Sequence, residues 1–213
     1  MELSFMIAMQ ELFILHLKEY GFRKKRKNFF IRTINESIQH ISILDTKVKG
    51  KNEVHIYISV GFTYDLVNKA ISFIRDVNYD KKWATANINL SSLINNNRIY
   101  DFYINEKTDI EYVVTDIIQN IKEYAFEFWD SCNNMEKFYN KLLNRDDIIR
   151  KSTFTLKRPE WNLLALSIIL EKGNYNDIIN DYKEDFEKNK YLIEDIKMRI
   201  GNYDIVKESC YYE

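Results

Sequence analysis

The stretch EVHIYISVGF, residues 53–62, decides the fold of this chain. Its apolar residues occupy every second position, and these are Val54, Ile56, Ile58, Val60 and Phe62. Because successive side chains of a β-strand point to opposite faces, this alternation predicts a strand with one buried face. The other face carries His55, Tyr57, Ser59 and Gly61. We expect this second face to be the open side of a sheet.

The neighbouring residues extend this strand into an antiparallel sheet. Further strands are predicted at 28–34, 37–44, 84–90 and 98–104. Asn35 and Glu36 mark a short turn between the first two of these segments, and KVKGKN at 47–52 predicts a glycine-containing turn into residues 53–62. The sheet is therefore expected to have four or five strands.

Helical periodicity appears on both sides of the sheet-forming region. Residues 3–20 carry apolar side chains at helical spacing, and Gly21 follows where a helix end commonly needs positive φ. A short helix is expected at 65–75. Thr108 and Glu111 fit the S/T-x-x-E capping box, which predicts the start of a long helix that runs to residue 130.

The last part of the chain is predicted to be helical. A helix holding Met135 to Leu143 precedes NRDDIIRKSTFTLKR at 144–158, whose polar and basic composition predicts a connector. Pro159 suits the first position of the next helix. That helix is the first of three short helices that are predicted to complete the chain. The predicted fold is α+β: an antiparallel sheet of four or five strands packed against helices, with an all-helical C-terminal region. The predicted domains are an α+β domain at 1–145 and a helical extension packed on it at 146–213.

Composition limits the classes of partner. The 31 basic and 32 acidic residues leave a net charge of -1, so no global field draws the protein to phosphate or membrane. The two cysteines, Cys132 and Cys210, lie far apart and are expected to be reduced thiols. Glu2 and Glu11 interrupt the apolar N-terminal stretch, which indicates neither a signal peptide nor a membrane span. We therefore expect a soluble, cytoplasmic protein without a membrane partner.

The local charge is concentrated in GFRKKRKNFF, residues 21–30. Its five consecutive basic residues are Arg23, Lys24, Lys25, Arg26 and Lys27. Three interpretations are open: a solvated entrance to a strand, a surface for an acidic partner protein, or a nucleic-acid patch. In extended geometry Arg23, Lys25 and Lys27 would diverge from Lys24 and Arg26, which splits the patch in two. Nucleic-acid binding is the least favoured, since it typically needs a longer positive face.

No cofactor or metal signature is complete. DVNYD at 76–80 begins like a calcium loop, but Lys81 and Asn87 stand where that loop requires Gly and Glu. The chain has only five glycines and no G-x-S-x-G elbow, so neither a phosphate-cradling loop nor that nucleophile motif is present. We predict no catalytic residue, no metal and no cofactor.

The three histidines, His16, His40 and His55, do not by themselves make a zinc site, which needs three or four ligands. His40 and His55 are nevertheless predicted on neighbouring strands. An enzyme would be indicated if both lined one cleft with a carboxylate such as Asp45 or Glu53.

The order of these segments resembles a known family. GFRKKRKNFF, then SIQHISILDTK and EVHIYISVGF, and later DIIQNIKEYAFEFWDSCNNMEKFYNKL, resemble the bacterial domain-of-unknown-function 4304 family. The best matching residues are Gly21, Phe22, Phe29, Ile38 and Gln39. The chain departs from the family at Arg26, where the family tends to have glycine, and at NINLSSL, residues 87–93, where it has an Arg-Leu-Gly-like element. The resemblance implies a small cytoplasmic domain of a kind associated with immunity to bacterial toxins.

The function predicted from the sequence is non-enzymatic binding of a protein partner, most concretely a toxin that is neutralised by occlusion. The residues expected to contact the partner are Arg23, Lys24, Lys25, Arg26, Lys27, His55 and Tyr57. A nucleic-acid-binding module using the Arg23–Lys27 edge, and an enzyme of unrecognised type, are the alternatives.

Overall fold

The computed structural model describes residues 4–80, 84–94, 102–153 and 159–210, the last seven of these by their backbone alone. Contacts divide the chain into two compact units. Unit 1 comprises Met1–Phe62 and Ala86–Asn133, and unit 2 comprises Thr63–Thr85 and Asn134–Glu213. These bounds differ from the predicted α+β domain at 1–145 and helical extension at 146–213, which remain a prediction.

Unit 1 contains an antiparallel sheet, which confirms the α+β class. Within the described ranges its strands are β1 Arg23–Arg26, β2 Phe29–Ile34, β3 Ser37–Lys47, β4 Val54–Thr63, β5 Ala86–Asn89 and β6 Phe102–Ile104. They are ordered β1-β2-β3-β4-β5, and β6 also pairs with β4. The strand beyond the predicted number is β1, which the basic stretch forms at the sheet edge. The part of the predicted strand 98–104 that precedes Phe102 lies outside the described residues.

The helices of unit 1 pack on one face of this sheet. They are α1 Ser4–Glu19, α3 Leu90–Leu93, α4 Ile110–Asn120, a π-helical segment Ile121–Ala125, and α5 Phe126–Asp130. The five alternating apolar residues of β4 are at most 2% exposed, as the sequence predicts. Phe62 meets Phe128 of α5 with ring centroids 5.7 Å apart, and Trp129 Nε1 donates to the Gly61 carbonyl at 2.9 Å. The core of unit 1 therefore lies between β4 and the helices.

Arg32 of β2 also joins the sheet to these helices. Its guanidinium lies 4.4 Å from the centroid of Phe126 and 4.7 Å from that of Phe22. It donates to the Tyr20 carbonyl at 3.0 Å and to Gln39 Oε1 at 2.7 Å. Burial lowers the pKa of Arg32, although the charge of Asp130 opposes this. Planar stacking and fixed donors make this a site for arginine rather than lysine.

The helix expected to begin at a Thr108 capping box is capped one residue later. The Asp109 carboxylate accepts from the Tyr112 N–H at 3.0 Å, whereas Thr108 Oγ1 accepts from the Asn105 N–H at 3.0 Å. The prediction was wrong because Asp109 places its charge at the positive end of the helix dipole. The expected single helix over 108–130 is also interrupted by the π-helical segment.

Unit 2 is helical in its described part. Its helices are α2 Asp65–Arg75, α6 Met135–Leu143, α7 Asp147–Thr153, α8 Pro159–Ile169, α9 Tyr175–Asp181, α10 Lys183–Lys188 and α11 Ile193–Cys210. α8 packs against α2 and α6, and Trp161 of α8 meets Phe186 at 4.6 Å and Tyr191 at 4.8 Å between ring centroids. Pro159 begins α8 as predicted.

Two details of unit 2 differ from the sequence prediction. The predicted connector 144–158 contains α7, because the Asp146 carboxylate accepts from the Ile149 N–H at 3.1 Å and Ile149 is buried; residues 154–158 lie outside the described part. Three short helices are predicted at the end of the chain, whereas the described residues contain four, because Tyr182 separates α9 from α10. The last of them, α11, has 18 residues and is not short.

The Asp109 cap can be tested against the capping box. Asp109→Ala should lower the free energy of unfolding by about 1 kcal/mol, because an N–H of the first turn of α4 loses its acceptor. Glu111→Ala should cost only a few tenths of a kcal/mol, since Glu111 is exposed and the cap does not use it. Urea denaturation of both variants measures this. A larger loss for Glu111→Ala would contradict the assignment of Asp109 as the cap.

Candidate binding surface on the outer face of the sheet

The register of β2 and β3 separates the two faces of the sheet. Phe30 pairs with Ile41, and both are buried on the helix-covered side, where Phe30 meets Phe13 of α1. On the opposite side, which we call the outer face, Phe29 pairs with Ser42 and Ile31 with His40. Paired residues of an antiparallel ladder project to the same face.

Two contacts fix the register of β3 against β4. The Val48 N–H donates to the Glu53 carbonyl at 3.0 Å, which closes the hairpin. His40 lies eight residues before Val48, and Gly61 lies eight residues after Glu53. A Cβ added to Gly61 would lie 2.6 Å from His40 Nε2. Both contacts fit one unshifted ladder. From this ladder we infer that Leu44 lies opposite Tyr57 and Thr46 opposite His55, which puts these four side chains on the outer face.

β1 shows an irregularity that the sequence did not reveal. Arg23 pairs with Ile31 and Lys24 with Phe30, but the register then shifts and Arg26 pairs with Phe29. Arg23 and Arg26 therefore both lie on the outer face, and the expectation that they diverge was wrong. One extra residue in a strand changes the alternation of side chains after it.

Lys24 lies on the helix side of β1. Its Nζ donates to Gln10 Oε1 of α1 at 3.1 Å. The four residues of β1 are all exposed, and Arg23, Lys25 and Arg26 form no ion pair with any residue that the structure describes. The basic stretch is thus an exposed edge strand whose arginines both reach the outer face.

Aromatic side chains continue across the outer face from β4 to β6. His55 pairs with Tyr103, and their rings stack with centroids 4.7 Å apart and an interplanar angle of 11°. The centroids of His55 and Tyr57 are 5.8 Å apart. Tyr103 is 61% exposed and Leu44 38%. We call Phe29, Leu44, Tyr57, His55 and Tyr103 the outer stripe.

We call the exposed basic residues of β1 the basic edge. A small cavity lies where the outer stripe meets this edge. Its volume is about 280 Å³, and we call it the notch; its lining residues are Arg26, Lys27, Asn28, Phe29, Ser42, Ile43 and Leu44. The Arg26 guanidinium lies 4.8 Å from the Phe29 ring centroid. The notch thus combines a stacked cation with an apolar wall.

His40 projects to the outer face but is buried there. It is buried, its ring stacks on Phe29 at 5.5 Å, and its Nε2 is 3.3 Å from Asn87 Oδ1. The same oxygen accepts from Ser59 Oγ at 2.8 Å. Desolvation lowers the pKa of His40 to about 4, although the hydrogen bond to Asn87 opposes this. Near neutral pH His40 is therefore an uncharged part of the sheet.

The cleft that would have indicated an enzyme is not formed by the expected residues. His40 faces Gly61, whereas His55 lies six residues earlier in β4, a distance of about 20 Å along a strand. Asp45 accepts from Asn28 Nδ2 at 2.7 Å, and Glu53 pairs with Lys51 at 3.6 Å. These four side chains thus have separate surroundings.

The described ranges contain no group of three or more His, Cys, Asp or Glu side chains placed to hold a metal ion. None of their helices is both long and apolar enough to cross a bilayer. A larger cavity of about 660 Å³ in unit 2 includes among its lining residues Asp147, Arg150, Lys151, Glu160, Asp185 and Lys188. Three of these side chains are basic and three are acidic.

Comparison with known protein families identifies the following match. A family model described as "Domain of unknown function (DUF4304)" matches residues 15–131. No curated protein and no solved structure matches the chain. The matched region begins within α1 and ends two residues before unit 1 does, so it contains β1 to β6, the outer stripe and the notch.

The close approach of β5 and of the His40 ring to Gly61 predicts a specific sensitivity. Gly61→Ala should lower the free energy of unfolding by about 2–3 kcal/mol, because the added Cβ would overlap the Ala86 carbonyl oxygen and the His40 ring. Gly201→Ala is the matched control, since nothing lies near its added Cβ, and it should raise stability by about 0.5–1 kcal/mol. Urea denaturation measures both. Equal effects would contradict the His40–Gly61 contact.

The buried imidazole predicts a pH dependence. Between pH 6.5 and about 4 the unfolded chain binds a proton at His40 that the folded chain does not, so stability should fall as pH falls through this window. The full loss is about 3 kcal/mol, from 1.36 kcal/mol per pKa unit. His40→Gln should remove this component, whereas His16→Gln should keep it. Parallel stability curves for the natural protein and His40→Gln from pH 7 to 4 would refute the assignment.

Proposed function

The chain belongs to the DUF4304 family, and we propose that it is a non-enzymatic protein-binding module. Its outer stripe and basic edge cover an acidic surface of a partner protein. The most concrete form of this function is an immunity protein that neutralises a toxin by occlusion. The observation that carries the proposal is the exposed edge strand, where Arg23, Lys25 and Arg26 lack ion-pair partners among the described residues.

The apolar part of the outer face supports the same function. Leu44 and Ile38 are each 38% exposed, and Tyr103 is 61% exposed. Exposed apolar groups with a polar rim commonly mark protein interfaces, and Tyr and Arg are enriched among the residues that dominate binding energy. The outer stripe supplies contact area, and the basic edge supplies orientation and selectivity for an acidic partner.

A binding role also fits the chemistry of the outer face. His40 has a strongly shifted pKa, which in other proteins can mark catalysis, but its burial in the network with Asn87 and Ser59 explains the shift. Occlusion needs a rigid surface formed before the partner arrives, and a hydrogen-bonded sheet provides one. We place this function in the cytoplasm, where a buried free thiol such as Cys132 is stable.

Nucleic acid is the second candidate. Arg23 and Arg26 lie on the same face as the exposed ring of Tyr103, and single-stranded nucleic acids bind to such combinations of cations and stacking rings. The His55 ring, however, stacks on Tyr103 itself, and Leu44 and Ile38 add aliphatic surface. These features favour a protein partner.

The test is affinity capture from an extract of the native host, with the full chain as bait. The bait carries either the natural edge or the triple change Arg23→Glu, Lys25→Glu and Arg26→Glu. The matched control is Lys49→Glu, Lys137→Glu and Lys197→Glu, which alters the net charge equally at exposed positions away from β1. Mass spectrometry identifies bound protein, and absorbance at nucleic-acid wavelengths detects RNA or DNA.

We expect one stoichiometric protein on the natural bait and the control, and at least tenfold less on the edge variant. If the captured protein arrests growth when expressed alone, and co-expression of this chain restores growth, the immunity role is supported. Absence of any stoichiometric protein would overturn the proposal. Nucleic acid that is retained by the control and lost by the edge variant would replace it with the second candidate.

A further inference from the structure

We infer that the notch is a binding site for the carboxylate of an acidic, extended segment of the partner, with Arg26 as the residue that holds the carboxylate. The inference rests on the proposed function and names the chemical group recognised. It follows from the orientation of Arg26, the lining of the notch and the charge of the adjacent edge.

The orientation of Arg26 is set by its stacking on Phe29. Its guanidinium carbon lies over the ring, 4.8 Å from the centroid, which is a cation–π contact. In the parallel arrangement that arginine favours on aromatic rings, the N–H groups lie in the guanidinium plane and stay available to another acceptor. Two of them can then donate in parallel to the two oxygens of a carboxylate. Arg26 forms no ion pair with the described residues, so this donor pair is not already used by an internal acid.

The register shift in β1 is what brings Arg26 to this position. Without it, Arg26 would alternate to the helix side, where Lys24 bonds to Gln10. With it, Arg26 lies opposite Phe29, and Phe29 lies opposite Ser42. The cation, the ring and a hydroxyl are thus brought side by side across three strands of the outer face.

The lining of the notch selects a carboxylate on an aliphatic stem. Phe29 and Leu44 provide apolar walls, and Ser42 provides a hydroxyl. A volume of about 280 Å³ equals that of about nine water molecules in the liquid, enough for a side chain such as glutamate. A phosphate has no methylene groups to place against Phe29 and Leu44. Asp45, bonded to Asn28 at the rim, would also repel a doubly charged phosphate more than a single carboxylate.

The edge strand determines the form of the acidic segment. Arg23 and Lys25 continue from Arg26 along β1, so an extended segment can place several carboxylates against them. Two copies of this chain would bring like charges together at their β1 edges, which disfavours pairing between copies. The occupant is therefore an acidic segment of a different protein rather than a second copy of this one.

The test uses defined probes on the full chain. Two peptides of ten residues, one alternating Val and Glu and the other Val and Gln, are compared with a ten-nucleotide oligothymidine. Binding is followed by amide chemical shifts in nitrogen-15 labelled protein. The variants are Arg26→Lys, which keeps the charge but loses the planar donor pair, and the matched control Arg145→Lys, an exposed arginine in unit 2.

We expect the Glu peptide to shift the amides of residues 26–29 and 42–44, and to bind at least tenfold more tightly than the Gln peptide or the oligonucleotide. Arg26→Lys should weaken binding of the Glu peptide about tenfold, as loss of one charge-assisted hydrogen bond predicts. Arg145→Lys should leave it unchanged.

Equal binding by Arg26→Lys, absence of Glu-peptide binding, or tighter binding of the oligonucleotide would each overturn the carboxylate site. The proposed function fails by a different result, the absence of a captured partner protein. If the captured protein is lost with the triple edge variant but retained by Arg26→Lys, the partner surface stands and the assignment of the notch is wrong.

Discussion

His40 and Gly61 face each other across β3 and β4, and the missing side chain of Gly61 leaves room for the imidazole ring. This contact and the hairpin bond between Val48 and Glu53 hold the two longest strands in one register. A slip of one residue would send the apolar side chains of β4 to the outer face and bring the outer stripe into the core. The positions of all outer-stripe residues on β3 and β4 therefore depend on this contact. The strands that carry the proposed binding surface are thus held in part by a buried, neutral histidine.

The second constraint is the irregular pairing of β1. A regular strand would divide its four basic residues equally between the two faces, and the helix side would hold Lys24 and Arg26 together. The register shift instead puts Arg23 and Arg26 on the same face as Phe29. One additional residue in the edge strand thereby places both arginines on one face of the sheet. Bulges often re-aim side chains in this way at sheet edges.

The sequence predicted the elements with strict periodicity. β2, β3 and β4, α1 and α2 lie where alternation or helical spacing places them, because burial of one face imposes that pattern on the residues. β1 was not recognised as a strand, because four charged residues carry no apolar period. Asp109 caps α4 where the sequence pattern favoured Thr108, and Asp146 caps α7 where a connector was predicted. Each helix start depends on one carboxylate, which periodicity does not report. Of the candidate site, His55 and Tyr57 follow from alternation in β4. Tyr103 and the stacking of Arg26 on Phe29 depend on pairing between strands, which no local pattern reports.

Because the basic and acidic residues nearly cancel, the position of each basic side chain determines where an acidic group is attracted. With a net charge of -1 the protein has no long-range attraction for an acidic partner, and exposed charges are screened beyond about 8 Å at physiological salt. Arg23 and Lys25 on the open edge act within this limit and lose strength as salt increases. Arg26 is different, because its guanidinium lies over the Phe29 ring and the walls of the notch would exclude part of the water around a bound carboxylate. Such a contact is screened less, and its bidentate geometry depends on distance and angle rather than on bulk charge. In the proposed complex the open edge would therefore govern the rate of encounter, and the notch would govern how long the partner stays bound.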